Sequence, residues 1–115
     1  MNKAISERIR NSKKYFSIKE SLIEQLRSQG TDTPAFVDLV EDYMSLWVLK
    51  QVMIIDIQMR GTVVEYNNGG GQTGTKVNES TAYLLKLSTQ MLKILNQLNL
   101  NAENIAQGGD SFDGL

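Results

Sequence analysis

The chain has no cysteine, no histidine and a single proline among its 115 residues. Without cysteine there is no disulfide framework, no zinc knuckle and no thiol nucleophile. Without histidine there is no Ser-His-Asp triad and no side chain that titrates unperturbed near neutral pH. Acid–base chemistry would fall to carboxylates, lysines or tyrosines with shifted pKa values, and a metal would have only carboxylates to hold it. An enzyme is the less favoured reading, and no metal or cofactor is expected. Long apolar runs are also missing. None exceeds four residues, the length of Val52–Ile55, far short of a membrane span. Met1, Asn2, Lys3, Ala4 and Ile5 begin a basic segment without an apolar stretch behind it. Export is not expected, and the protein is expected in the cytoplasm, away from membranes.

What remains is 41% apolar and 22% charged, the composition of one folded domain with a modest core. The charge is near balance, with 12 Lys and Arg against 13 Asp and Glu, but it is unevenly placed. Residues 1–14 hold Lys3, Arg8, Arg10, Lys13 and Lys14 against Glu7 alone, while the rest of the chain is acidic. A basic arm on an acidic body is suited to an anionic partner. On one monomer a handful of phosphate contacts binds weakly and gives way to salt, so such an arm gains force when many copies are displayed together.

Three helices are expected. Tyr15, Ile18, Leu22 and Leu26 recur at three- and four-residue steps in a helix over 12–29, with Phe16 and Ile23 widening the stripe and Gly30 ending it. The Ile5, Arg8, Ile9 spacing extends the same periodicity back towards the arm. Thr33 as N-cap and Pro34 at the first helical position open a second helix that runs to Arg60 and stops at Gly61. At 1.5 Å per residue it is about 40 Å long. In its first half the apolar residues fill one side and the acidic residues the other. From Val48 onward Leu49, Val52, Met53, Ile54, Ile55, Ile57 and Met59 point nearly all round. A helix apolar on every side must be covered on every side, and one short chain has few elements to do it, so neighbouring subunits are the expected cover. The third helix, about 79–99, carries Tyr83, Leu84, Leu87, Met91, Ile94, Leu95 and Leu98 on one stripe, with Leu85 and Leu92 beside it, and should pack antiparallel on the second.

Between these long helices, Thr62–Tyr66 and Gln72–Val77 flank a turn-rich Asn67–Gly71 tract, the pattern of a β-hairpin or a mobile loop. The tract imitates a phosphate-binding loop, since Gly69 and Gly74 have the right separation. Lys76, however, comes one residue late and Val77 stands where a magnesium-binding hydroxyl belongs. No second parallel strand supports such a loop, so a hairpin tip is the preferred reading. Asp38, Glu41 and Asp42 read as a solvated face rather than a metal site. Tyr43 and Trp47 read as core or interface, and Met44, Met53 and Met59 as adaptable packing. Residues 107–115 read as a flexible acidic tail.

This order of elements resembles a known family. Asp42-Tyr43 in the long helix, the spacing from Tyr43 to Gly61, Lys76-Val77-Asn78 before the last helix, and the Leu-rich stretch Leu84–Leu100 are similar to the small subunit of tailed-phage terminases. The likeness is to the branch common in phages and prophages of Gram-positive bacteria, and it covers roughly residues 15–105. It departs from the family in having Glu79 where Pro is usual, and Leu98-Asn99-Leu100 where Leu-Gly-Leu is usual, with no Arg beyond Arg60. The resemblance implies a non-enzymatic ring with a central tunnel. It implies binding to the packaging site of double-stranded viral DNA in the bacterial host cytoplasm, and modulation of a large subunit that carries the ATPase and nuclease.

The expected architecture is accordingly mainly all-α. A basic arm over 1–14 precedes a helical domain over 15–106, built as a long antiparallel hairpin with a small β-hairpin between its helices and assembled as a cyclic oligomer, and the tail follows. Expected DNA contacts are Lys3, Arg8, Arg10, Lys13 and Lys14, with Lys19 and Arg27 weaker. Expected subunit contacts are Trp47, Val48, Leu49, Val52, Met53, Ile54 and Ile55. The alternatives are a small dimeric helix-turn-helix regulator, opposed by the shortness of the segment before the long helix, and a small nucleotide-dependent enzyme resting on the phosphate-loop imitation.

Overall fold

The computed structural model describes residues 2–67 and 69–100; the expected tail over 107–115 lies outside them. Four helices and one hairpin follow in order: α1 (Asn2–Arg10), α2 (Lys13–Gln29), α3 (Pro34–Arg60), β1 (Val63–Asn67), β2 (Thr73–Val77) and α4 (Glu79–Gln97). The fold is mainly helical with one two-stranded antiparallel sheet.

Residues 2–10 form a helix of their own rather than continuing α2. Ser12 makes the break. Its backbone is extended (φ −78°, ψ 153°) and its Oγ accepts from the Tyr15 N–H, capping α2. The same hydroxyl donates to the Ile9 carbonyl at 2.7 Å, which closes α1. One side chain therefore satisfies orphan groups at two helix ends. At its other end α2 stops on Gly30 at φ 75°, where the Thr31 N–H reaches back to the Leu26 carbonyl. This left-handed closure costs glycine little.

Thr33 stands at the α3 N-cap as expected, but its side chain makes no capping bond; Pro34 supplies the preset φ instead. Helix α3 ends at Gly61, and the chain turns into the hairpin, which pairs Val63 with Val77 through Asn67 with Thr73. Gly69, Gly70 and Gly71 all have positive φ at its tip. Tyr66 lies over Gly74 so closely that a Cβ there would sit 2.9 Å from the phenol oxygen.

Helix α4 returns antiparallel along α3. Its start meets the end of α3, where Asn78 donates to the Gly61 carbonyl and Ser80 to Asp56. Its end closes over the start of α3, where Leu98 and Leu100 are fully buried with Leu26 and Val40. The turn that buries both leucines needs Asn99 at φ 58°, and the Leu100 N–H bonds the Leu95 carbonyl. Asparagine enters the left-handed region more readily than other non-glycine residues, so Asn99 performs the backbone task of a glycine here. The core is completed by Tyr15, Ile18, Leu22, Met44, Trp47, Val48 and Met91, with the Tyr15 and Trp47 rings 6.1 Å apart.

A polar latch holds the hairpin end. Asp56 Oδ1 and Oδ2 accept from Arg60 at 2.6 and 2.8 Å. Asp56 Oδ2 also accepts from Ser80 Oγ at 2.6 Å and Asn78 Nδ2 at 3.0 Å. Asn78 is wholly buried and fully engaged, since its Oδ1 accepts from Arg60 and from the Ser80 N–H. These bonds hold the Asp56 carboxyl far below the usual carboxylate range, the Arg60 bond contributing most.

Two outcomes follow for stability. Asn99→Val should lower it by about 1–2 kcal/mol in urea unfolding, because a β-branched residue resists positive φ; an unchanged midpoint would contradict the assigned turn. Folding depresses the Asp56 pKa below the ~3.9 of an unfolded aspartate, so the latch contributes fully above about pH 5 and is lost as pH falls towards the folded value. Asp56→Asn should therefore destabilise the protein at pH 7 and flatten the acid limb of its stability curve. An acid limb of wild-type steepness in that variant would assign the titration elsewhere.

Candidate nucleic-acid interface and assembly faces

The five cations of the first segment fall on two helices. Lys3, Arg8 and Arg10 lie on α1, and Lys13 and Lys14 form the first turn of α2. All five are exposed, and among the described residues none makes an ion pair. Four of them, Arg8, Arg10, Lys13 and Lys14, crowd the α1–α2 junction. Arg8 and Arg10 suit the negative end of α1. Lys13 and Lys14 do not suit α2, whose first turn contains no acid. Cations at the positive end of a helix dipole are unfavourable by a few tenths of a kcal/mol each. The negative end of α1 and the positive end of α2 offset one another at this junction, so its positive charge is that of the four side chains, none of which has an ion-pair partner among the described residues.

The weaker candidates are differently placed. Lys19 is tied to Glu41 of α3 at 2.6 Å, a bond that raises its pKa. Arg27 meets Glu24 at 2.7 Å and Asp32 at 4.0 Å. Both would have to surrender an internal partner to meet a phosphate. The same pairing places Glu41 on a lysine. Lys76, the lysine of the imitation phosphate loop, lies in β2 and meets Glu79 at 3.0 Å. Of its glycines, Gly69 lies at the hairpin tip and Gly74 within β2 opposite Tyr66, and neither opens a helix.

The residues expected to make subunit contacts are split by the structure. Trp47, Val48 and Val52 are buried by the chain itself, Leu49 is exposed, and Met53, Ile54 and Ile55 are half-buried. Helix α1 supplies part of that internal cover. Ile9 packs on the core and Ile5 reaches the second half of α3. Beneath Ile5 lies a cavity of about 380 Å³, walled by Val52, Met53, Ile55 and Met59 and bounded by Asp56 and Ser80 of the latch.

A second apolar stripe runs along α3 at the margin of this core, with Phe36, Leu39, Tyr43 and Leu46 packed against its edge. Phe36, Leu39, Tyr43, Leu46, Met53 and Ile57 follow alternating steps of three and four, with Lys50 at the one polar position, and every one of these is only partly covered. Burial of this kind raises the Tyr43 hydroxyl above its ordinary pKa. On α4, Leu85 and Leu92 stand two turns apart and are 71% and 62% exposed. The residue types were visible in the sequence, but which side of each helix the chain would cover was not.

No helix among the described residues is long and apolar enough to cross a membrane. No curated protein and no solved structure matches the chain. The family model described as phage terminase, small subunit, matches residues 19–107. That span takes in most of α2, all of α3, the hairpin and α4, and leaves α1 with Lys13 and Lys14 outside it. The chain belongs to the phage terminase small subunits, a family that works in packaging phage DNA.

Proposed function

We propose that this chain is the DNA-recognition and regulatory component of a packaging motor, acting without catalysis of its own in the host cytoplasm. In this reading it assembles as a closed ring, grips double-stranded viral DNA through the α1–α2 junction, and modulates the large subunit that carries the ATPase and nuclease. The observation that carries the reading is the junction itself, where four exposed cations within residues 8–14 find no acidic partner among the described residues. Five phosphate contacts from one chain give a slope of log K against log salt of only about −4.5. A ring multiplies them, so affinity comes from repetition rather than from one deep site.

Assembly agrees with the shape of the protomer. It measures 62 × 27 × 25 Å with a radius of gyration of 17.4 Å, against roughly 13 Å for a compact domain of this length. So elongated a body keeps apolar surface that a sphere would enclose. Half-buried and exposed leucines, methionines and aromatics along α3 and α4 are that surface.

Binding to duplex DNA should be strong at low salt and lost at high salt, with a slope steeper than about −4.5 when several chains engage one duplex. Replacing Arg8, Arg10, Lys13 and Lys14 together by alanine should abolish binding in a fluorescence-anisotropy titration and leave the native mass unchanged. Lys19→Ala and Arg27→Ala should alter affinity less than twofold. Undiminished binding by the fourfold variant would move the DNA contact to another face.

A further inference from the structure

We infer that the outward face of α2 is a docking groove for residues 103–113 of the same chain, which bring Asp110, Phe112 and Asp113 to the basic α1–α2 junction. Lys13 and Phe16 stand at one end of this groove, Ile23 and Arg27 towards the other, and its volume is about 870 Å³. Phe16 is 48% exposed, and its only ring contact is with Tyr15, 5.3 Å away. The first support is where the described chain ends. Leu100 is buried in the cluster that holds Leu26, and Gln29 donates to the Leu98 carbonyl. The chain therefore leaves the core at the Gln29 end of α2. Lys13 lies about 20 Å along the helix from Leu26, and the stretch from Leu100 to Asp110 spans up to about 33 Å when extended. The acidic residues reach the junction with length to spare.

The second support is the order of charge. Residues 101–115 hold Glu103, Asp110 and Asp113 and no cation. The middle of the groove carries Glu20 and Glu24, and the stretch that would pass them, residues 104–109, is uncharged, with Ile105 suited to Ile23. Beyond it Asp110 and Asp113 flank Phe112, the complement of Arg10, Lys13 and Lys14 beside an exposed Phe16. No other face of the described residues offers this combination. Lys19, Arg27, Arg60 and Lys76 already have carboxylate partners, and Lys50, Lys86 and Lys93 stand singly along their helices. Exposed ion pairs are individually weak. A tether within one chain offsets that weakness with an effective concentration of about millimolar, and an aromatic pair adds buried area. Where duplex DNA uses the same cations it must displace this segment, so the segment lowers the apparent affinity. That consequence rests on the function proposed above, whereas the contact itself does not.

The absence of native cysteine makes the test direct. Ser17→Cys in the groove is combined with Ser111→Cys, and the matched control combines Thr89→Cys on the exposed side of α4 with Ser111→Cys. Both sites lie ~15 Å along their helices from the chain's exit, and circular dichroism confirms that each variant keeps the helical content of the parent. In a glutathione redox buffer at low salt, a disulfide within one chain should form at least about tenfold more readily from Ser17→Cys than from Thr89→Cys. High salt should shrink that preference. Equal yields from the two pairs, or a disulfide formed only between chains, would overturn the contact. Adding Asp110→Asn, Phe112→Ser and Asp113→Asn should abolish the preference, and a preference that survives them would overturn the recognition assigned here. The same three substitutions in the parent should tighten binding to duplex DNA roughly threefold or more. A Ser17→Cys preference with DNA affinity unchanged by the three substitutions would uphold the contact and overturn the placement of DNA on the junction.

Discussion

Helix α3 has more apolar circumference than the other helices of one chain can cover, and the architecture follows from that excess. Its core-facing side takes Tyr15, Ile18, Leu22 and Leu26 from α2 and Met91, Leu98 and Leu100 from α4 and the turn after it. Helix α1 adds Ile9, with Ile5 lining the cavity over the second half of α3. Even so, a stripe from Phe36 to Ile57 stays half-covered. Burial is worth roughly 25 cal/mol per Å², so a stripe of this length is a standing drive towards association.

The hairpin depends on its two ends being fixed. At one end Asp56, Arg60, Asn78 and Ser80 exchange bonds within 3.0 Å, so the buried Asn78 amide is satisfied by its partners. At the other, Asn99 turns the chain so that Leu98 and Leu100 both enter the core. Between these ends the contact is apolar and adaptable. The positive φ at Asn99 is what lets the leucines on either side of it turn inward together.

Much of this was legible in the sequence because the signals were local. Gly30 and Gly61 stop their helices where the spacing said they would, and Pro34 opens α3. The hairpin was legible as one of two readings of its Asn- and Gly-rich tract. Less was legible wherever one residue serves two elements or partners lie far apart in sequence. Ser12 both ends α1 and caps α2, so the periodicity of Ile5 and Ile9 ran on through a break it could not reveal. Apart from the Asp56–Arg60 pair, one helical turn apart, the latch joins residues 17 to 24 positions apart and leaves no periodic trace. Helical phase alone also could not divide the apolar residues after Val48. Trp47, Val48 and Val52 went to the chain's own core, while Leu85 and Leu92, which looked like the margin of a core stripe, were left outside.

In the proposed function, DNA binding through the α1–α2 junction and burial of the half-covered α3 surface both require a unit that holds several copies of the chain. The most direct test is the native mass of the unmodified protein by sedimentation equilibrium over a wide range of concentration and salt. The account predicts one closed species of more than four chains whose mass does not change with salt, because its joints are apolar. A mass of one chain of 12.9 kDa under all conditions would contradict it and would mean that the half-covered stripe of α3 is stable in water as it stands.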